Sequence, residues 1–228
     1  MRLDEGMIEQ INTENQIVPV SASTRFVSAL IDYIPMLMIT MIANTVGMVL
    51  FFESFPSESL YAGQYMSEEE SMNMITTMFG SMSSMILPMS IGLAVAYIYF
   101  LCKDLIGGRS PGKRLQKLQL VRLDGTSVSY TRMIVRNLFL IIWPVELIMY
   151  LANKGQRLGD LVCKTTVVTA TEDNKQPVDK QKVIISVLIV TVFCSFVAVL
   201  YNWGMTSFFD WYMRFIEGVM QNTIDYNY

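Results

Sequence analysis

The sequence predicts an all-α membrane protein: three transmembrane helices plus a short re-entrant or broken helix, a small cytosolic β-hairpin and a C-terminal amphipathic helix. Three observations carry that prediction. The chain is 52% hydrophobic and only 16% charged over its 228 residues, which separates it from ordinary soluble domains. Its apolar residues gather in four runs, at about 26–52, 79–101, 137–152 and 183–203. Its charges are segregated between those runs, acidic in one interval and basic in the next.

Residues 1–24 carry Asp4, Glu5, Glu9 and Glu14 and no basic stretch ahead of an apolar core, so they read as a polar cytosolic segment rather than a cleaved signal. The first, second and fourth runs reach the roughly 20 residues that cross a bilayer core. The third is shorter and is interrupted by Pro144 and Glu146; as one helix it would rise only about 24 Å. Residues 53–78 hold Glu53, Glu58, Glu68, Glu69 and Glu70 without a Lys or Arg, whereas 103–136 hold Lys103, Arg109, Lys113, Arg114, Lys117, Arg122, Arg132 and Arg136. Positive charge stays inside, which places the acidic interval outside, the basic one in the cytosol and the N-terminus inside.

Basic residues resume at Lys154, Arg157, Lys164, Lys175, Lys180 and Lys182. A full crossing by 137–152 would carry them to the outer face. A re-entrant segment, allowed where protein or water covers its backbone, keeps them inside and is the favoured of the two forms. The chain then divides into a polar segment (1–24), a membrane domain (25–170), a cytosolic linker (171–182) and a further span with an amphipathic helix (183–228). In that last helix Phe208, Phe209, Tyr212, Phe215, Ile216, Val219 and Met220 recur at helical spacing around Asp210, Arg214 and Glu217. It lies on the membrane surface or over the protein's own spans.

Within the cytosolic interval, Leu118, Leu120 and Leu123 alternate with polar residues, Asp124-Gly125 offers a tight turn and Val128 resumes beyond it. This is a hairpin pattern, to which the β-rich Thr165–Thr169 adds a third strand. Gly107-Gly108-Arg109-Ser110-Pro111-Gly112-Lys113-Arg114 has the glycines and lysine of a phosphate loop. Arg114 stands where that motif needs a hydroxyl, Pro111 removes a backbone donor, and a membrane span precedes it, so nucleotide binding is not expected. A turn whose Arg109, Lys113 and Arg114 touch anionic headgroups fits better.

The candidate site begins with Asp32, an acid inside the first apolar run and seven residues beyond Arg25. That spacing puts both on one helix face, about 10 Å apart along the axis. A carboxylate in lipid costs several kcal/mol unless protein or water covers it, so it is a functional suspect by default. Glu146, after Pro144, is a second candidate; if it converges with Asp32 the two form an all-oxygen site for a proton or small hard cation. Left alone in the membrane, Asp32 would hold a proton, whereas beside Arg136 or Arg157 it would stay ionised. The first state suits proton exchange, the second a structural lock. Arg25 itself is expected to anchor at the headgroups.

No cofactor or metal is expected. Histidine is absent, and Cys102, Cys163 and Cys194 lack CxxC spacing, so neither a disulfide framework nor a zinc site follows. The stripe Met78, Met82, Met85, Met89 reads as helix packing. No nucleophile and base stand at usable spacing, so no enzyme is expected.

Arg25, Asp32, Gly108-Arg109-Ser110-Pro111-Gly112-Lys113-Arg114, Asp124-Gly125, Arg136-Asn137, Gln156-Arg157-Leu158-Gly159-Asp160 and Thr165-Thr166-Val167-Val168 occur in that order. This ordered set resembles the RDD family of integral membrane proteins, over about residues 20–170. The family's arginine and two aspartates would here be Arg25, Asp32 and Asp160, which makes Asp160 a third candidate. The resemblance implies a transporter role, with sodium/proton antiport in some members and assembly of a membrane complex in a eukaryotic relative. The expected function is small-solute transport, in one form monovalent cation/proton antiport through Asp32, in the multi-pass cytoplasmic membrane of a bacterium. The alternative is an adaptor that scaffolds a membrane complex. Expected partners are the bilayer with its anionic headgroups, further copies of this chain and a membrane-protein partner, and not nucleic acid.

Overall fold

The computed structural model describes residues 20–55, 67–152, 156–171 and 174–225. The helices are α1 (Ala22–Ser54), α2 (Glu68–Ser83), α3 (Ile86–Cys102), α4 (Pro111–Leu115), α5 (Tyr130–Leu138), α6 (Trp143–Ala152), α7 (Leu158–Cys163) and α8 (Lys180–Asp225). Two strands, β1 (Leu118–Arg122) and β2 (Thr165–Thr169), complete the order. Among the described residues three stretches are long and apolar enough to cross a membrane: Ala22–Ser54, Asn73–Cys102 and Lys180–Ile216. The described residues form two compact units, one from Met1–Ile34 with Phe100–Leu188, the other from Pro35–Tyr99 with Ile189–Tyr228.

In the first unit α1 is built inside out relative to a soluble helix. Arg25, Ser28 and Asp32, at helical spacing on one face, are buried, while Phe26, Leu30 and Ile34 are about half exposed. A helix in lipid turns its polar stripe toward protein for that reason. A small apolar core lies beside this stripe, made of Leu105, Leu118, Leu120, Val128, Met133 and Val167.

The sheet differs in connectivity from the expected hairpin. β1 pairs antiparallel with β2, from Leu118 opposite Thr169 to Arg122 opposite Thr165. The turn at Asp124-Gly125 does form: Gly125 has φ of 78°, and the Asp124 carboxylate accepts from Thr126 N at 3.0 Å, an Asx turn. No strand follows it, because α5 begins at Tyr130 with Ser129 as its N-cap, and Val128 drops into the core instead. Among the described residues Thr165–Thr169, expected as a third strand, is the only partner of β1.

The third apolar run is a bent pair. Tyr130–Ile142 and Pro144–Ala152 meet at 103°. Pro144 sits in the first turn of α6, where its missing N–H leaves no intrahelical bond broken. The proline therefore starts a helix after the bend.

In the second unit, Ser67 and Glu70 form a capping box: Glu70 Oε2 accepts from Ser67 N at 2.8 Å and Ser67 Oγ from Glu70 N at 3.2 Å. This starts α2 inside the interval expected to be an outer loop. The close helix contact is at Gly92, where an added Cβ would stand 2.0 Å from Ala43 Cβ, whereas nothing lies within 4 Å of one at Gly80. The aromatic stretch near the C-terminus is no separate helix but continues α8. Phe209 and Tyr212 lie against Phe79, at 6.5 and 5.2 Å between ring centroids, so this face packs on the protein's own helix.

Two glycines of one unit are thus expected to respond oppositely. Gly92→Val forces α1 and α3 apart and lowers stability by about 1–3 kcal/mol, the usual range for overpacking. Gly80→Ala enters open space on a helix and holds or gains up to about 1 kcal/mol. Thermal unfolding of both variants in one detergent checks the pair; equal losses would contradict this packing.

Candidate functional site

The polar groups of the first unit converge on one buried cluster. Asp32 accepts from Ser110 Oγ at 2.6 Å and from Gly112 N at 2.8 Å, and Lys103 Nζ stands 3.6 Å from its Oδ2. The backbone of α4 comes this close because residue 112 has no side chain. An added Cβ would meet Ser28 O at 2.0 Å. The loop that mimics a phosphate loop thus wraps the chain's own carboxylate, with Ser110 as N-cap and Pro111 opening α4.

Asp104, with no exposure at all, is the centre of the cluster. It is hydrogen-bonded by Lys113 Nζ, by Arg136 NH1 at 3.1 Å and by Asn137 Nδ2 at 3.3 Å. Arg136 bridges to Asp160 through Nε, and Asp160 accepts from Thr165 Oγ1 at 3.2 Å, at the start of β2. Burial by itself would raise both acids; Lys113, Arg136 and Lys103 hold Asp104 well below the carboxylate range, and Arg136 with Arg157 does so for Asp160.

Several expectations change at this point. Arg25 does not reach headgroups: it is buried and donates to Thr166 Oγ1 at 3.1 Å and Val167 O at 3.0 Å, because β2 supplies acceptors beside the start of α1. Arg136 pairs with Asp104 and Asp160, and Lys103 is the cation at Asp32. Lys113 is buried against Asp104 and cannot serve headgroups. Arg114 is exposed and donates to Arg109 O and Ile106 O, while Arg109 is half-buried. Glu146 does not join Asp32. Its Oε1 accepts from Gly159 N at 2.8 Å, and its Oε2 has no hydrogen-bond partner among the described residues. No group of three or more His, Cys, Asp or Glu suited to a metal ion occurs among the described residues.

Arg25, Ser28, Asp32, Lys103, Lys113, Arg136, Arg157 and Asp160 line a polar cavity of about 20 Å³, room for one water-sized group. Lys103 is the unusual member of the wall. Its Nζ lies over the Phe100 ring, 4.0 Å from the centroid. Burial pushes its ammonium down to about 7; Asp104 and Asp32 oppose that shift, and Lys113 and Arg157 add to it. Lys103, Asp104, Ser110 and Gly112 were not among the expected site residues. The available signal was Lys103-Asp104 itself, opposite charges set flush against the end of an apolar run.

Two outcomes follow. The folded state binds the Lys103 proton less readily than the unfolded chain, whose lysine titrates near 10.5. Between about pH 7 and 10.5 the unfolded state therefore holds more protons, and stability from this group rises with pH across that window and is flat below it. Unfolding midpoints across this window should climb less steeply for Lys103→Met than for the native chain; unchanged slopes would remove Lys103 as the cause. Asp104→Asn strands Lys113 and Arg136 in a buried site and should cost about 3–5 kcal/mol, more than Asp32→Asn, whose side-chain oxygen still accepts from Ser110 or Gly112. Denaturation of the two variants in parallel checks the order.

A model of the RDD family matches residues 19–214, so the match includes Arg25, Asp32, Asp104, Arg136 and Asp160 and runs into the last helix, beyond the stretch that carries the motifs. No curated protein and no solved structure matches the chain. With three apolar helices and a family match over most of its length, the chain belongs to the RDD family and is a multi-pass membrane protein.

Proposed function

We infer that this RDD protein is a small-solute transporter with a proton carried at the Asp32–Lys103 pair. One observation supports the reading above others: a lysine that exchanges its proton near pH 7 stands 3.6 Å from a carboxylate on a transmembrane helix, beside a cavity of water size. Asp32 has two neutral donors besides Lys103, Ser110 Oγ and Gly112 N, and these would hold the acid while a proton moves. The basic interval 103–136 supports a cytosolic side for this cluster by the positive-inside rule, in what we take to be a bacterial cell membrane. Three spans can hardly enclose a pathway, so the working form is a homo-oligomer.

The second reading is a non-transporting adaptor. What favours it is the aromatic face of α8, where Phe208, Trp211 and Phe215 stack on one another and remain more than half exposed. A partner protein covers such a face as readily as lipid does.

The purified chain in proteoliposomes separates these readings. Internal pH is followed while Na⁺, K⁺, Li⁺ or a small anionic solute is added, with Asp32→Asn and Lys103→Met alongside. A solute-driven pH change in the native chain, lost in both variants, is the expected result. Silence with every solute, or a strictly monomeric state in nanodiscs, would sink transport. A stoichiometric partner lost on replacing Phe208, Trp211 and Phe215 by alanine would establish the adaptor.

A further inference from the structure

The cavity wall carries more positive than negative charge. Arg25, Lys103, Lys113, Arg136 and Arg157 face Asp32 and Asp160 across it. Asp104, bonded to Lys113 and Arg136, and Glu146, bonded to Gly159 N, are buried as well, so that with Lys103 as ammonium these residues number five cations and four carboxylates. An uncompensated charge in a buried setting is costly. A single negative group entering the cavity would cancel it.

Hydrogen bonding decides which cations are available. Lys113 and Arg136 are committed to Asp104 and Asp160, and Arg25 donates to Thr166 and Val167. Lys103 is held differently. Its ammonium is 3.6 Å from an Asp32 oxygen that already accepts from Ser110, which exceeds normal hydrogen-bond length. Arg157 is half-buried, and no hydrogen bond or ion pair is made by its guanidinium among the described residues. An ammonium and a planar guanidinium with open donors are the pair that recognises a phosphate or a carboxylate.

We propose that this cavity is the binding site of one anionic group, a phosphate or carboxylate, held between Lys103 and Arg157. The cavity, at about 20 Å³, is the size of one water, so it takes one oxygen of such a group, with the rest of the anion outside it. This deepens the transport reading by naming the charge class of the solute, and it rests on that reading only for translocation. The same chemistry comes from a free anion or from a lipid headgroup at the membrane face.

Binding is measured on the full chain. Inorganic phosphate and acetate are titrated calorimetrically into the protein in a neutral detergent at fixed ionic strength. In parallel, the protein is reconstituted into nanodiscs of phosphatidylcholine with or without phosphatidylglycerol, and retained lipid is counted by mass spectrometry. Arg157→Gln, at a half-buried position whose guanidinium makes no hydrogen bond or ion pair among the described residues, is the main variant. Lys103→Met is the second, and the exposed Arg114→Gln is the control. Saturable binding that weakens about tenfold or more in Arg157→Gln and is unchanged in Arg114→Gln is expected. Binding of phosphate or acetate identifies a free anion, and selective retention of phosphatidylglycerol identifies a headgroup. No binding in any arm, or equal losses in Arg157→Gln and Arg114→Gln, would overturn the site. Proteoliposome flux keeps the two claims apart: binding without flux leaves the site and removes transport, whereas flux that Arg157→Gln leaves unaltered removes the site and leaves transport.

Discussion

Asp104 has no contact with solvent, and a carboxylate in that position is tolerable only if cations and donors come to it. Lys113 arrives from α4, Arg136 and Asn137 from α5. Because Arg136 has a second face, the requirement passes on to Asp160 in α7, and through Asp160 to Thr165 at the start of β2. The same chain of contacts holds the start of β2, which pairs with β1 far along the chain, and the next residues of that strand, Thr166 and Val167, accept from Arg25.

Two glycines let backbone reach these charges. At Gly112 a methyl would collide with Ser28 O, and at Gly159 it would come within 2.5 Å of Arg136 O and 3.3 Å of Glu146 Oε1. In both places the glycine N–H donates to a buried carboxylate, Asp32 in one case and Glu146 in the other. The glycine-containing motifs around Ser110 and Leu158 are therefore devices for bringing a main-chain donor against an acid. That same geometry at a helix start is what binds phosphate elsewhere, which is why the first motif imitates a phosphate loop while its donors serve Asp32.

The spans were legible because their signal is composition over a long window. Asp32, Asp160 and Arg136 stood out because charge beside or within apolar sequence has few innocent explanations. Asp104 did not stand out: next to Lys103, at the end of a span, it reads as an ordinary interfacial charge, and its partners come from α4 and α5, which meet it only in three dimensions. The roles of Arg25 and Lys113 were misread for a related reason. A basic residue near a membrane face looks identical in sequence whether it meets a headgroup or a buried carboxylate, and only the acceptors on β2 and at Asp104, just past α3, decide. Local turn chemistry at Asp124-Gly125 was correct, but a turn does not oblige the next residues to form a strand when a helix cap follows within a few positions.

These contacts also relocate the chemistry that Asp32 first suggested. An acid within an apolar helix invites a protonation cycle of its own, yet here it is an acceptor for a hydroxyl and a backbone N–H, both neutral donors that stay in place. The cation opposite is the less constrained partner, set over an aromatic face and beyond hydrogen-bond reach of the acid. Any change of charge in the cavity is therefore felt first at Lys103, and an arriving anionic group would stabilise its ammonium, whereas an arriving cation would add to a wall already in positive excess. If the proposed anionic group enters, its entry and proton uptake at Lys103 would be coupled by that sign, in the same direction, whichever molecule supplies the negative group.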